Sequence, residues 1–577
     1  MVVKLDPSER IHARTLDIPS LNEHEEATMR GLMMEYPLTT QFILARAETL
    51  FPTREIATKT ADGMHRYTYA NMAARARRLA SALEKRGLQQ GDRIASFAWN
   101  TYRHLELYFA VPSAGMILHT LNIRLFAEQV EYIVNHAEDQ VIFVDESLVP
   151  VLEKMAPAFK SVKLYVIMSD GPMPQTSLSP AVDYEALLGE ADPDYAFPTL
   201  DEYDGAMMCY TSGTTGNPKG VLYTHRSLYL HSLSALGPDV IGLRQRDTVM
   251  PIVPMFHANS WGFPFTAAIA GSKQVFPSMY MQPQVIVDLI RNEGITVAAG
   301  VPTIWIGVAQ LLAQSGESLP LLHTIICGGS AAPQSLIETY AKWGISLTHA
   351  WGMTETSPLG SVCRLKVEMD NLSDAEKFKV LAKQGLMAPS VEVRIVDELG
   401  QTAPWDGKTM GELQIRGPFI VNGYYNDERS ASAFQDGWFR TGDVAVIDPN
   451  GYIQLVDRTK DLVKSGGEWI STVDLESTLM AHPKVLEAAV IAVPHPKWQE
   501  RPLACVVLKS GVECSKDELY EFLEPRIARW WMPDDIVFID AVPKTSVGKF
   551  DKKVLRVEFQ DYALPERPHT VAAGARE

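Results

Sequence analysis

The chain has 577 residues, 46% apolar and 21% charged, and 53 Lys and Arg against 70 Asp and Glu leave a net charge of −17. This length exceeds the roughly 250–300 residues that one hydrophobic core supports, so two or more domains are expected. The acidic balance speaks against a nucleic-acid binder, which carries a basic face, although a local pocket of opposite sign can still hold an anionic ligand. The five cysteines, Cys209, Cys327, Cys363, Cys505 and Cys514, are scattered and lack a CxxC pair. That usage fits a reduced cytoplasm and no zinc site. "MVVKLDPSERIHARTLDIPS" lacks the apolar core of a secretory signal, and "VAAGARE" carries no peroxisomal ending. No stretch reaches the ~18 apolar residues of a membrane span. A cytoplasmic protein, at most loosely associated with membranes, is expected.

In chain order, residues 1 to about 35 are charged and irregular and read as an arm. "YANMAARARRLASALEKRG" has helical apolar spacing and stops at Gly87. "RIASFAW" reads as a strand, "YRHLELYFAVPSAG" as a helix, "ILHTLN" as a strand, "AEQVEYIVNHAED" as a helix and "QVIFVD" as a strand. This alternation predicts a parallel sheet with helices on its faces. The rhythm returns over 284–350 in "PQVIVDLIRNEG", "TVAAGVP", "LHTIICGG", "PQSLIETYAKWG" and "SLTHAWG". From about 391 to 457 short strands dominate, with Asn450-Gly451 predicting a hairpin. Beyond "DRTKDLVKSGGEWIS" the pattern turns to mixed helix and strand. "VDLESTLMAHP" is a predicted helix opened by Ser471 and Asp474 in a capping-box arrangement. "VLEAAVIAVP" is a predicted strand and "KDELYEFLEPRIARW" a predicted helix. The predicted domain boundary lies near 457–461.

"YTSGTTGNPKG", residues 210–220, follows the short apolar strand "GAMMCY". Its glycines let backbone N–H groups approach an anion, and its hydroxyls add donors. It is not the loop of the common nucleotide hydrolases and kinases, which requires Ser or Thr directly after Gly-Lys; here Gly220 follows Lys219. Taken alone, the stretch reads equally as a surface turn.

With "WGMTE" (351–355), "GELQIRG" (411–417), "WFRTGD" (438–443), "DRTKDLVKSGGEWIS" (457–471) and "PKTSVGKFDKK" (543–553), in that order, the chain resembles the adenylate-forming superfamily. That superfamily comprises acyl-CoA synthetases, firefly-type luciferases and peptide-synthetase adenylation domains. "VPMFHANSWG" (253–262) and "HPKWQERP" (495–502) are most similar to bacterial medium- and long-chain fatty acyl-CoA synthetases. The resemblance implies an α/β fold. Residues 1–456 would form a large adenylation domain of αβ-layered sheets with a β-rich subdomain, 457–464 a hinge linker, and 465–577 a small mobile α+β domain. It implies an acid–thiol ligase using ATP, Mg²⁺ and coenzyme A, with an acyl-AMP intermediate, and a homodimer.

Residue by residue, it implies that Thr211, Ser212, Gly213, Thr214, Thr215, Gly216 and Lys219 hold the ATP phosphates. Gly328, Gly329, Ser330, His349, Ala350, Trp351 and Gly352 would bound the adenine, and Thr354 would reach the α-phosphate. Glu355 and Thr215 would bind the metal ion, since a hard carboxylate oxygen suits Mg²⁺. Asp443 and Arg458 would take the ribose, a carboxylate being able to accept from both sugar hydroxyls. Trp351 stands where most relatives have Tyr; the stacking face survives and the phenol hydroxyl is lost. Lys549 would be the catalytic lysine, a flexible point charge able to enter and leave the site. Lys460 falls at the hinge, and Gly466 and Gly467 at the coenzyme A channel. His257 would sit beside the acid carboxylate, with Trp261 gating an acyl pocket whose opposite wall is Gly300, Val301 and Pro302. The lining carries no cationic or phenol-reading residue, which predicts an aliphatic acid of medium chain length; a long-chain or a short, sulfur-containing acid such as methylthiopropionate is the alternative. A non-catalytic nucleotide-binding relative is a further alternative, against which stands the joint presence of Glu355, Asp443, Arg458 and Lys549.

Overall fold

The computed structural model describes residues 31–192, 195–211, 217–397, 399–458, 461–466, 468–544 and 550–565. Residues 31–37 belong to a separate N-terminal unit and contain no helix or strand; Leu38–Glu577 is the compact unit described below. Among its described residues the strands form four sheets, of nine, seven, five and five strands.

The nine-stranded sheet has a parallel centre. Strands Ser346–Gly352, Thr324–Cys327, Val297–Gly300 and Thr248–Pro251 lie side by side in that order. Their side chains are buried almost throughout, as a sheet covered by helices on both faces requires. The helices Pro283–Asn292 and Gln334–Lys342 are predicted crossovers, and Pro302–Ser315 is a further helix between them that was not among the predicted elements. In the seven-stranded sheet, Gly205–Tyr210 runs parallel to Ile117–Thr120 and antiparallel to the edge strand Gly220–Thr224. The loop 211–219 therefore closes a hairpin at the end of this sheet.

The third sheet is antiparallel. Its strands are Glu392–Val396, Gly411–Arg416, Trp438–Ile447 and Ile453–Arg458, with the short Phe434–Gln435 on Trp438–Ile447. The Asn450-Gly451 hairpin is present, with Gly451 at φ +84°, a conformation that suits glycine. The fourth sheet is built entirely from strands that follow Leu462, with Val485–His495 and Gln499–Leu508 as its long central pair. The fold is thus a large mixed α/β domain of layered sheets with a β-rich subdomain, followed by a small α+β domain.

Ser471 is the N-cap of helix Thr472–Met480, its Oγ accepting the Asp474 N–H at 3.1 Å. One predicted element is shorter than expected. The helix in "KDELYEFLEPRIARW" ends at Leu523, and only a single 3₁₀ turn, Arg529–Trp531, follows. Pro525 supplies the reason: Glu524 still has helical geometry, but proline lacks the N–H that would continue the helical hydrogen bonds.

Candidate active site

Four elements from three sheets converge on one cavity of about 420 Å³. The hairpin legs supply Thr211 and Lys219, and the strand ends supply Gly328, Gly329, Ala350, Trp351 and Gly352. Thr354 and Glu355 follow in a short 3₁₀ turn, and Arg458 ends the last strand of the antiparallel sheet. His257 and Trp261 also line it, with Ile241, Phe263 and Leu359.

The hairpin legs are pinned at their base. The Thr211 N–H donates to the Lys219 carbonyl at 2.9 Å, and the Lys219 N–H donates back to Thr211 Oγ1 at 3.2 Å. Ser212, Gly213, Thr214, Thr215 and Gly216, at the tip, lie outside the described residues, as do Lys460, Gly467 and Lys549.

Trp351 is joined to Asp443 directly. The indole Nε1–H donates to Asp443 Oδ2 at 3.0 Å, and Arg458 Nε lies 3.3 Å from Asp443 Oδ1. Trp351 is 8% exposed and Asp443 4%, so this charge-assisted bond is shielded from water. Although the phenol hydroxyl is lost at this position, the indole N–H supplies a hydrogen-bond donor of its own.

Glu355 is 5% exposed. Its Oε1 accepts from the Tyr424 hydroxyl at 2.8 Å, and its carbonyl accepts from the Val421 N–H at 2.9 Å. The Lys219 ammonium lies 3.9 Å from the centre of the same Tyr424 ring, a cation–π contact. Burial pulls the Lys219 ammonium below the ordinary lysine range, and Glu355 opposes that pull. The Thr354 carbonyl accepts from Tyr223 Oη at 2.7 Å.

Gly328 allows a close backbone approach in the cavity. A Cβ there would lie 2.7 Å from the Ala350 carbonyl oxygen and 3.3 Å from Trp261 Cη2. Glycine is required for strand ends and indole to meet at this point.

The part of the cavity lined by His257 and Trp261 rests on an unusual backbone. Ala258, Asn259, Ser260, Trp261 and Gly262 have φ of 44°, 52°, 50°, 54° and 75°. This is a complete left-handed turn, at a cost of about 1–2 kcal/mol for each non-glycine residue. Ser260 Oγ donates to the Val253 carbonyl at 2.8 Å, and Asn259 Oδ1 accepts from Cys209 Sγ at 3.2 Å. His231 packs where a Gly262 Cβ would stand, 2.6 Å from that position, and accepts the Leu359 N–H at 3.1 Å. Strain of this kind concentrates at functional sites, held by its surroundings. The turn is what presents Trp261 and His257 to the cavity.

The remaining residues singled out in the sequence lie around this centre. His349 is buried and uses both ring nitrogens on backbone: Nδ1 meets the Ala382 carbonyl at 3.0 Å and Nε2 accepts from the Ala332 N–H at 3.4 Å. Burial lowers its pKa, consistent with a neutral ring that braces the strand end. Ser330 is exposed and outside the cavity lining. Gly300, Val301 and Pro302 also lie outside that lining: Gly300 ends the strand paired with Cys327, and Val301 and Pro302 open the helix Pro302–Ser315. Gly466 packs under Trp498 in the small domain, its N–H donating to the Trp498 carbonyl at 3.0 Å.

The AMP-binding enzyme pattern matches residues 44–425, and the AMP-binding enzyme C-terminal domain pattern matches residues 474–549. The chain belongs to the AMP-binding enzyme family. It is 46% identical to a long-chain-fatty-acid–CoA ligase of Thermus thermophilus, over 92% of this chain and 97% of that protein. It is 45% identical to a 3-methylmercaptopropionyl-CoA ligase of Ruegeria lacuscaerulensis, over 92% and 99%. A medium-chain-fatty-acid–CoA ligase of Ectopseudomonas oleovorans is 41% identical, over 93% and 98%. The protein is accordingly an AMP-forming acid–CoA ligase that uses ATP. No helix among the described residues is long and apolar enough to cross a membrane.

Within this AMP-binding fold, several cavity residues escaped sequence reasoning. Tyr424 and Arg429 also line the cavity, and Tyr223 and His231 support it from behind. The "GYYNDER" and "YTHRSLYLH" stretches that hold these residues carry no chemical pattern of their own. Only Gly262 hinted at the left-handed turn.

Proposed function

We propose that this ligase activates an aliphatic carboxylic acid of medium chain length and transfers it to coenzyme A. The observation that carries the reading is one cavity lined both by Trp351, Arg458, Lys219 and Glu355 and by Trp261, Ile241, Phe263 and Leu359, the last four packed in one apolar cluster. The first group supplies polar and charged side chains; the second offers apolar side chains, against which each buried CH₂ contributes about 0.8 kcal/mol.

In this reading the acid carboxylate attacks the α-phosphorus of ATP and pyrophosphate leaves. The thiol of coenzyme A then attacks the acyl carbon and AMP leaves. Trp351 stacks on adenine, with Gly328 and Gly329 bringing backbone close to it. Asp443 and Arg458 take the ribose hydroxyls. Lys219 and the loop tip hold the β- and γ-phosphates, and Thr354 the α-phosphate. The buried Glu355 carboxylate, already oriented by Tyr424, would be the hard oxygen donor that suits Mg²⁺, and the Thr215 hydroxyl would be its second ligand. Such an ion, when bound, would neutralise phosphate charge. His257 lies beside the carboxylate, and His349 braces the strand end. Lys549, delivered by the small domain 465–577, neutralises the charge that gathers as the two anions meet. Rotation about Lys460 in the linker 457–464 then exchanges Lys549 for the Gly466–Gly467 face, along which pantetheine enters. A homodimer formed through the large domain 1–456 belongs to the same reading.

The test is AMP and thioester formation across an acid series of increasing chain length, with 3-methylmercaptopropionate, aromatic and amino acids included. A maximum on medium aliphatic chains is expected, with pyrophosphate and no ADP released. A maximum on aromatic or amino acids refutes the proposal. The 45% identity to the Ruegeria enzyme favours one second reading, the short sulfur-containing acid, and the same series decides between them. Lys549→Ala should lose adenylate formation, and Lys460→Pro should lose thioester formation far more than adenylate formation. Full-rate adenylation by the first, or equal loss of both half-reactions in the second, overturns the corresponding role.

A further inference from the structure

We infer that Tyr424 is a positioning residue that holds Lys219 and Glu355 apart and aimed, so that both meet an incoming triphosphate unspent. The inference rests on the roles proposed above for Lys219 and Glu355.

These two residues carry opposite charges in a partly buried cavity, where attraction is far stronger than in water. Left to themselves they would close into an ion pair. Among the described residues they form no direct ion pair. Tyr424 stands between them. Its ring takes the ammonium on one face at 3.9 Å, and its hydroxyl donates to Glu355 Oε1 at 2.8 Å. A cation–π contact restrains an ammonium without occupying its N–H donors. The hydroxyl likewise takes one carboxylate oxygen.

Tyr424 is itself fixed by a segment that grips both partners. Its N–H donates to Ser430 Oγ at 2.8 Å. The next residue, Tyr425, donates its N–H to the Gly220 carbonyl at 2.8 Å, on the loop leg that carries Lys219. Arg429 donates to the Asn217 carbonyl at 2.9 Å on the same leg. Earlier in the segment, the Val421 N–H holds the Glu355 carbonyl at 2.9 Å. Residues 421–429 thus bridge the phosphate-loop leg and the Glu355 turn through backbone, and Tyr424 bridges them through its side chain.

Two substitutions separate the two contacts. Tyr424→Phe keeps the ring and deletes the hydroxyl; Tyr424→Leu deletes both. Binding of ATP with Mg²⁺, and separately of AMP, is measured by calorimetry, alongside KM for ATP and kcat. AMP lacks the β- and γ-phosphates and reports that the site is folded. Tyr424→Phe should weaken Mg²⁺–ATP about tenfold, the scale of one hydrogen bond to a charged group. Tyr424→Leu should weaken it about a hundredfold, the cation–π contact being lost as well. AMP affinity should hold in both, with the loss in KM for ATP larger than that in kcat. Tyr424→Leu no weaker than Tyr424→Phe, or both within about twofold of the parent, overturns the inference. Lys219→Ala and Glu355→Gln are measured beside them. If these two weaken Mg²⁺–ATP while Tyr424→Leu does not, the positioning role alone is refuted. If they also bind as the parent does, the roles of Lys219 and Glu355 fall and the inference falls with them.

Discussion

Replacing Trp351 with Phe asks whether the indole N–H, and not aromatic stacking alone, prepares the nucleotide site. The substitution removes the donor 3.0 Å from Asp443 Oδ2. What remains on the carboxylate is Arg458 at 3.3 Å, on a side chain 44% exposed and therefore screened. A hydrogen bond to a buried carboxylate contributes about 1.5–3 kcal/mol, which sets the ceiling on lost AMP affinity at about 10- to 150-fold. Packing adds a separate cost. The indole lies so close to the neighbouring strand that a Cβ on Gly360 would be 2.4 Å from its Cζ3. A phenyl ring leaves a gap there, at about 1 kcal/mol of stability. The two effects separate in a double-mutant cycle with Asp443→Ala, read as AMP affinity by calorimetry. Trp351→Phe should cost far less once Asp443 is gone, with a coupling of at least about 1.5 kcal/mol. Costs that add within about 0.5 kcal/mol would show that Trp351 and Asp443 act independently, and would refute the reasoning.

Gly328→Ala forces a Cβ to within 2.7 Å of the Ala350 carbonyl. It should cost about 1–3 kcal/mol and raise KM for ATP; unchanged Tm and KM would contradict the close approach. Lys552 is ion-paired to Glu476 at 2.7 Å, the two side chains being 10% and 8% exposed. Lys552→Met should therefore cost about 3–5 kcal/mol by stranding the carboxylate, and Glu476→Gln added to it should restore part of the loss. A melting temperature indifferent to the first substitution argues against that pair. Burial lowers the pKa of His104 and His225 to about 4 and that of His231 to about 3. The unfolded chain then binds more protons than the folded one below the ordinary histidine value of 6.5. Their contribution is present above that pH and is lost as pH falls from 6.5 toward 4 and below, by about 1.4 kcal/mol per unit for each group. Melting temperature should fall over this window, and His231→Gln should flatten the slope; an unaltered slope excludes His231 as a contributor.

Much of the architecture was legible in the sequence because it is local. The strand Gly205–Tyr210, the helix Tyr69–Lys85 and the Ser471 cap each follow from spacing and residue chemistry within a few positions. The early stop at Leu523 was missed although Pro525 lies in plain view, because the helical spacing around it outweighed it in the prediction. The left-handed turn 258–262 was not legible. Ala, Ser and Trp do not favour positive φ, and the turn holds because Val253, Cys209 and His231 surround it. Tyr424 was equally hidden, meeting Glu355 across 69 residues of chain.

The sequence by itself determined the class of chemistry, because the loop and the motifs that follow it are contiguous and each carries its own donors and acceptors. The tertiary structure alone decided how those motifs are coupled: Trp351 to Asp443 through an indole N–H, and Lys219 to Glu355 through a tyrosine. Such pairings join residues on different sheets. They depend on where helices and strands pack, which no short stretch of sequence specifies.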